Sequence, residues 1–367
     1  MHLLEQGLTA GGDCEVERFL GEGAFAEVYR VKHRFLGRQS MKVFKRKGMN
    51  LEEIQEMLGE AILLSRISHP NIIRVFNAGV LEAGGDTYGF FTMEFVAGGS
   101  LDKFWRSYGA QFVPLDTTID LAKQVCRGIA LAHREEPPII HRDIKPHNIL
   151  VGYEADGLRA RVGDFGLAKK VNPLTLMATA AGTLAFKPPE AFAKQKGDSR
   201  AGDVWAIGCT LYLMLTDQLP YDFPDDATWN TLGAFDRPVL PPSEVHPDVD
   251  RSLDQIVLRA LELKPEDRYP TAGEMLEALE RWHPEPIRSV QAAANPLSSE
   301  QSKVALGLAT PGDGTQGAEL VKKAFLAKTD GRLADAADLM EEAFNRSPDL
   351  RQKYVRQVRL WRKGISM

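Results

Sequence analysis

Asp143, Lys145 and Asn148 lie close together in the run Ile140-His141-Arg142-Asp143-Ile144-Lys145-Pro146-His147-Asn148. The carboxylate of Asp143 can accept a hydroxyl proton. The ammonium of Lys145 can hold a phosphate oxygen. The side-chain carbonyl of Asn148 suits a hard cation such as Mg²⁺. Phosphoryl transfer calls for this combination, because its catalysis rests mostly on positioning and charge neutralisation. An apolar run, Ile149-Leu150-Val151, follows at once and reads as a strand that would hold the loop rigid.

The run resembles the catalytic loop of eukaryotic-type (Hanks-type) protein kinases, H-R-D-x-K-x-x-N. Such a likeness gains weight only if the family's other parts follow in order and in the right local context. Leu20-Gly21-Glu22-Gly23-Ala24-Phe25-Ala26-Glu27-Val28 has the form of the glycine-rich loop, with Ala26 where a third glycine is usual. Gln39-Ser40-Met41-Lys42-Val43-Phe44 alternates as a strand should. It carries Lys42 at the family's strand-lysine position and Ser40 where alanine is usual. Helical spacing over Leu51, Ile54, Leu58, Ala61, Ile62 and Leu64 puts Glu60 at the register of the C-helix glutamate. Phe91-Thr92-Met93-Glu94-Phe95-Val96-Ala97-Gly98-Gly99 resembles the hinge, and Val162-Gly163-Asp164-Phe165-Gly166 the D-F-G motif. Gly182-Thr183 and Pro188-Pro189-Glu190 bracket the end of an activation segment, with Pro188 in place of the usual alanine. Asp203 and Arg268 match the family's F-helix aspartate and late arginine.

This resemblance covers residues 16–283 and implies an α+β, bilobal fold. A small β-rich lobe would run to about residue 95, and a larger helical lobe would follow. ATP would lie between them, with Gly21 and Gly23 letting backbone approach its phosphates. Val28 and Ser40 would cover the adenine from above and Leu150 from below. Met93 takes the gatekeeper place, and backbone groups near Glu94 and Val96 would bond the adenine edge. Lys42, paired with Glu60, would hold the α- and β-phosphates. Asp164 and Asn148 would bind Mg²⁺, with Mn²⁺ as an alternative ion. Asp143 would orient and deprotonate a protein hydroxyl while Lys145 steadies the transferred phosphate. Asp143-Ile144-Lys145-Pro146 and Gly182-Thr183 resemble serine/threonine rather than tyrosine kinases. Arg142 implies regulation by an anion on the activation segment, with Thr179 as the expected phosphosite and Thr175 and Thr183 as its neighbours. Two alternatives stay open: a pseudokinase scaffold and a small-molecule kinase. The complete set Lys42, Glu60, Asp143, Asn148 and Asp164 argues against the first, and the Gly182–Glu190 segment against the second.

At 367 residues the chain has room for two domains. A net charge of −5 argues against nucleic acid as the main partner. The three cysteines, Cys14, Cys126 and Cys209, lack metal-ligand spacing and fit a reducing, cytoplasmic setting. The start, Met1-His2-Leu3-Leu4-Glu5, lacks the marks of a signal peptide, and no stretch reaches the length of a membrane span.

Residues 1–15 read as an N-terminal extension and 284–317, rich in Pro, Gly, Ala, Ser and Gln, as a linker. Residues 318–367 turn helical again. Gly331, Ala336, Met340, Ala343 and Pro348 have the spacing of one tetratricopeptide repeat, and a generic helical hairpin fits as well. One such pair cannot bury its own apolar face, so the tail should dock on the catalytic part or on a protein partner. Its last stretch is basic, through Arg351, Lys353, Arg356, Arg359, Arg362 and Lys363. A docked helix with a solvated basic side is favoured over a membrane-binding one, because a short helix without a lipid anchor binds membranes weakly.

Overall fold

The computed structural model describes residues 2–46 (apart from 24), 53, 58–59, 64–65, 67–165 (apart from 110 and 111), 184–192, 199–221, 233, 235–284, 313–329, 332–347, 350, 354, 357–358 and 361–362. Within these residues the chain forms two lobes and a helical tail.

The small lobe is a six-stranded antiparallel sheet: β1 (Thr9–Ala10), β2 (Cys14–Glu22), β3 (Ala26–His33), β4 (Gly37–Phe44), β5 (Val75–Ala83) and β6 (Asp86–Glu94). Its strand order is β1-β2-β3-β4-β6-β5. The period-2 pattern explains which face is inward. Tyr29 and Val31 of β3 and Met41 and Val43 of β4 are buried, whereas Arg30 and Lys32 point outward. Leu4, Ala10 and Cys14 join the same cluster, so the N-terminal residues are packed onto the sheet. The Leu4 N–H donates to the Tyr29 hydroxyl at 3.0 Å.

The large lobe is built around α3 (Arg200–Thr216), counting α1 (Leu101–Arg106) and α2 (Leu115–Arg134) before it. Every residue of α3 from Gly202 to Thr216 is buried, as expected of a helix that is apolar on all sides. Ser199 caps it by accepting from the Gly202 N–H at 3.0 Å. Gly208 lets α4 (Arg251–Ala260) approach closely: a Cβ there would stand 2.9 Å from the Ala260 Cβ. α5 (Ala272–Arg281) begins at Thr271, which caps the Glu274 N–H. A two-stranded ribbon, β7 (Ile149–Glu154) and β8 (Gly157–Val162), lies at the junction of the lobes.

In the tail, α6 (Asp313–Thr329) and α7 (Leu333–Arg346) pair, and α6 begins inside the 284–317 stretch. Helical residues between 350 and 362 complete a separate cluster that contains Phe325, Met340, Phe344, Val358 and Trp361. Ala336, Met340 and Ala343 are fully buried, while Gly331 and Pro348 lie outside the described residues. Arg362 bonds Asp338 and Glu341 on α7 at 2.6 and 2.9 Å, so part of the basic side is matched to acids within the tail. No helix among the described residues is long and apolar enough to cross a membrane.

Candidate active site

The catalytic loop hangs from Asp203, near the start of α3. The Asp203 carboxylate, 1% exposed, accepts the His141 N–H at Oδ2 and the Arg142 N–H at Oδ1, both at 2.8 Å. It also lies 3.0 Å from His133 Nε2. Since His133 Nδ1 accepts from the Ala272 N–H, its Nε2 carries the proton toward Asp203. His141 is likewise fixed as one tautomer. Its Nδ1 accepts the Asp143 N–H at 3.2 Å, so Nε2 donates to the Gly163 carbonyl at 2.9 Å. Its ring stands 4.4 Å from that of Phe165. Burial holds the His141 pKa below the ordinary imidazole value, against the pull of Asp203. This neutral histidine joins the Asp143 loop to the Asp164 loop.

Asp143 Oδ2 accepts from Lys145 Nζ at 2.8 Å and from Asn148 Nδ2 at 2.9 Å. Asn148 Nδ2 also donates to the Asp143 carbonyl, so its oxygen is the end left for a cation. Asp164 sits at φ +57°, an uncommon conformation for a non-glycine residue that is frequent at functional sites. Lys42 Nζ reaches its Oδ1 at 2.6 Å. Desolvation pushes the Asp164 pKa up, but the Lys42 ammonium outweighs it and holds the carboxylate below its usual range. With its side chain 43% exposed, Asp164 remains an ionised, reachable oxygen ligand beside Asn148. This all-oxygen pair suits Mg²⁺, which binds through one or two carboxylates plus phosphates.

Around this centre, Val28 pairs with Lys42 across β3–β4, and Ser40 pairs with Met93 across β4–β6. Leu150 bridges to Ser100 at the base of the cleft. After Glu94 and Val96 the chain passes tightly over the ribbon. A Cβ on Gly98 would stand 2.1 Å from the Val151 carbonyl oxygen, so only glycine fits there. Gly21 lies near the end of β2, opposite Val28, and Gly23 lies in the β2–β3 turn, where its N–H donates to the Ala26 carbonyl at 2.8 Å. Glu190 forms a two-pronged pair with Arg268 at 2.8 and 2.7 Å, and Arg268 also stacks over Trp205. Glu60, Thr175, Thr179 and Thr183 lie outside the described residues.

The protein kinase domain family matches residues 14–279. The chain belongs to the protein kinase family. A probable serine/threonine-protein kinase of Clostridium acetobutylicum is 34% identical over 277 residues, which cover 74% of this chain and 40% of that protein. The tyrosine-protein kinase MasK of Myxococcus xanthus is 32% identical, covering 74% of this chain and 43% of MasK. This kinase chain therefore spans about two fifths of the length of those relatives. The crystal structure of the Mycobacterium tuberculosis PknI kinase domain has a TM-score of 0.55 at 25% identity, covering 76% of this chain and 98% of that one. The expected bilobal kinase fold is thereby met.

One kinase residue escaped the sequence reading. Lys187, in the run Leu184-Ala185-Phe186-Lys187, directs its ammonium at the Arg142 carbonyl, 2.7 Å away. A lone charge at the end of an apolar run was the available signal.

Proposed function

We propose that the chain is an ATP-dependent protein kinase that transfers the γ-phosphoryl group to serine or threonine hydroxyls. The convergence of Asp143, Lys145, Asn148, Lys42 and Asp164 in one cleft carries this reading. Lys145 and Asn148 hold one Asp143 oxygen, which fixes the carboxylate as acceptor for the substrate proton. Lys42 and Lys145 supply positive charge for the phosphates, and Asp164 with Asn148 would hold Mg²⁺, or Mn²⁺ in its place. When bound, that ion supplies charge neutralisation on the phosphate oxygens. Glu60 is the proposed partner of Lys42, and the cleft walls Val28, Ser40, Met93, Glu94, Val96 and Leu150 would enclose the adenine. The Asp143-Ile144-Lys145-Pro146 run supports serine or threonine over tyrosine as acceptor. Residues 16–283 would form the catalytic part, 284–317 the linker and 318–367 a repeat-like tail, within a cytoplasmic protein.

Labelled ATP with purified chain and a generic protein substrate tests this. Phosphoserine or phosphothreonine should form, and Asp143→Asn should lower turnover by roughly 10²- to 10⁴-fold with ATP binding intact. Phosphotyrosine alone would reverse the acceptor assignment, and ATP binding without transfer would favour the scaffold. Mass spectrometry of the same reaction should find phosphate on Thr179, which adds nearly two negative charges for Arg142 to meet. Full activity of Thr179→Ala would remove that part.

A further inference from the structure

Arg142 is held from two sides. It has φ +69°, a left-handed conformation that non-glycine residues keep only where the surroundings enforce it. From the core, Asp203 Oδ1 accepts its N–H at 2.8 Å. From the segment before Pro188-Pro189-Glu190, Lys187 Nζ donates to its carbonyl at 2.7 Å. That segment is itself pinned by Glu190 on the buried Arg268. The Lys187 ammonium also lies 3.9 Å from Asp143 Oδ1, the oxygen opposite the one that Lys145 and Asn148 bond. This is too long for a hydrogen bond and close enough for charge attraction. Its side chain is only 21% exposed, so solvent screens it in part.

We propose that Lys187 is a positioning residue for Asp143, an inference that rests on the kinase reading above. It fixes the peptide plane leading into Asp143 and draws the Asp143 carboxylate toward the segment expected to receive the substrate. The placement of that segment is thereby coupled to the orientation of the acceptor carboxylate. An apolar residue at this position would remove the Lys187 bond from the strained Arg142 carbonyl.

Lys187→Met keeps most of the stem and removes the charge, while Lys187→Arg keeps a donor. With ATP and a generic protein substrate, Lys187→Met should lower kcat roughly 10- to 100-fold, part of what a general base supplies. KM for ATP should stay within about twofold, because the nucleotide contacts are untouched. Lys187→Arg should recover about a third or more of the parental kcat, a rescue that cavity filling alone would not produce. In the absence of substrate, amide exchange at Asp143 should be faster in Lys187→Met than in the parent. Lys187→Met turnover within about threefold of the parent overturns the assignment, as does a loss confined to KM or an equally impaired Lys187→Arg. An inactive parent would refute the kinase reading instead, and unchanged exchange at Asp143 would still refute the clamp.

Discussion

Lys328→Met should release the tail from the large lobe. Asp217 ends α3 with φ +53°, and its carboxylate gathers groups from three directions. Lys328 Nζ of α6 lies 3.2 and 3.4 Å from its two oxygens, and Gln357 Nε2 donates to Oδ2 at 2.8 Å. The Trp105 side chain of α1 bonds it as well. The ion pair is well buried, with side chains 2% exposed at Lys328 and 12% at Asp217. Burial raises the Asp217 pKa even against Lys328, so the site tolerates the charge only while its donors are present. Methionine keeps the apolar stem and deletes the ammonium. If the tail stayed seated, an under-compensated buried carboxylate would cost about 3–5 kcal/mol. If the tail lifts away, Asp217 returns to water and only the docking free energy is lost. The second route is open because the tail buries an apolar cluster of its own, separate from that of the large lobe. At 1.4 kcal/mol per tenfold, the docked fraction relative to the free one should fall by roughly 100- to 4,000-fold. Small-angle scattering reads the outcome as a larger radius of gyration, and urea unfolding of the catalytic lobes should lose no more than the docking free energy. An unchanged scattering profile with a lower midpoint would refute the reasoning and make the tail an inseparable part of the large lobe. No change in either would mean that the pair contributes nothing.

Asp203→Asn should cost about 2–4 kcal/mol, since the buried donors of His141, Arg142 and His133 lose a charged acceptor and one of them faces an NH₂ group. A urea midpoint unchanged from the parent would contradict the suspension of the catalytic loop from α3. Stability should fall as pH drops below 6.5, the ordinary histidine value. Desolvation lowers the pKa of His69, His141 and His246, so the unfolded chain takes up protons that the folded chain resists. Thermal midpoints measured from pH 7.5 down to 5.5 should decline, and a flat or rising series would count against neutral, buried rings. Cys126, whose thiol burial pushes up to about 12, should resist alkylation until the protein unfolds. Rapid labelling of native protein would show that this thiol is not sealed in the core.

The centre of the site was legible because its chemistry is written in short contiguous runs. Asp143, Lys145 and Asn148 share one loop, and Asp164 sits between Gly163 and Phe165 on the next. The small lobe was legible for a different reason: alternation along β3 decides which residues face inward before any tertiary contact is known. The supports of the loop were visible only through resemblance. Nothing local to Asp203 or Arg268 announces that one carboxylate will receive two backbone N–H groups, or that a guanidinium will be fully buried beneath Glu190. Packing of α3 against α2, α4 and α5 brings these partners together, and packing has no signature in any single run.

Lys187 and the group around Asp217 mark where sequence reading stops. Lys187 looks like an ordinary surface lysine until the fold sets it against a backbone carbonyl from a distant loop. Lys328 falls on an amphipathic helix where a charge normally meets water, yet it is buried on Asp217, a residue 111 positions earlier in the chain. The expectation that the tail needs an outside surface rested on the rule that one helical pair alone cannot bury its shared face. The chain answers it in two steps. A third helical segment brings Val358 and Trp361 to close the apolar cluster, and a polar contact made by Lys328 and Gln357 then seats the unit on the large lobe. Among the described residues this polar contact joins the tail to the large lobe, and its burial leaves the pair little screened by salt.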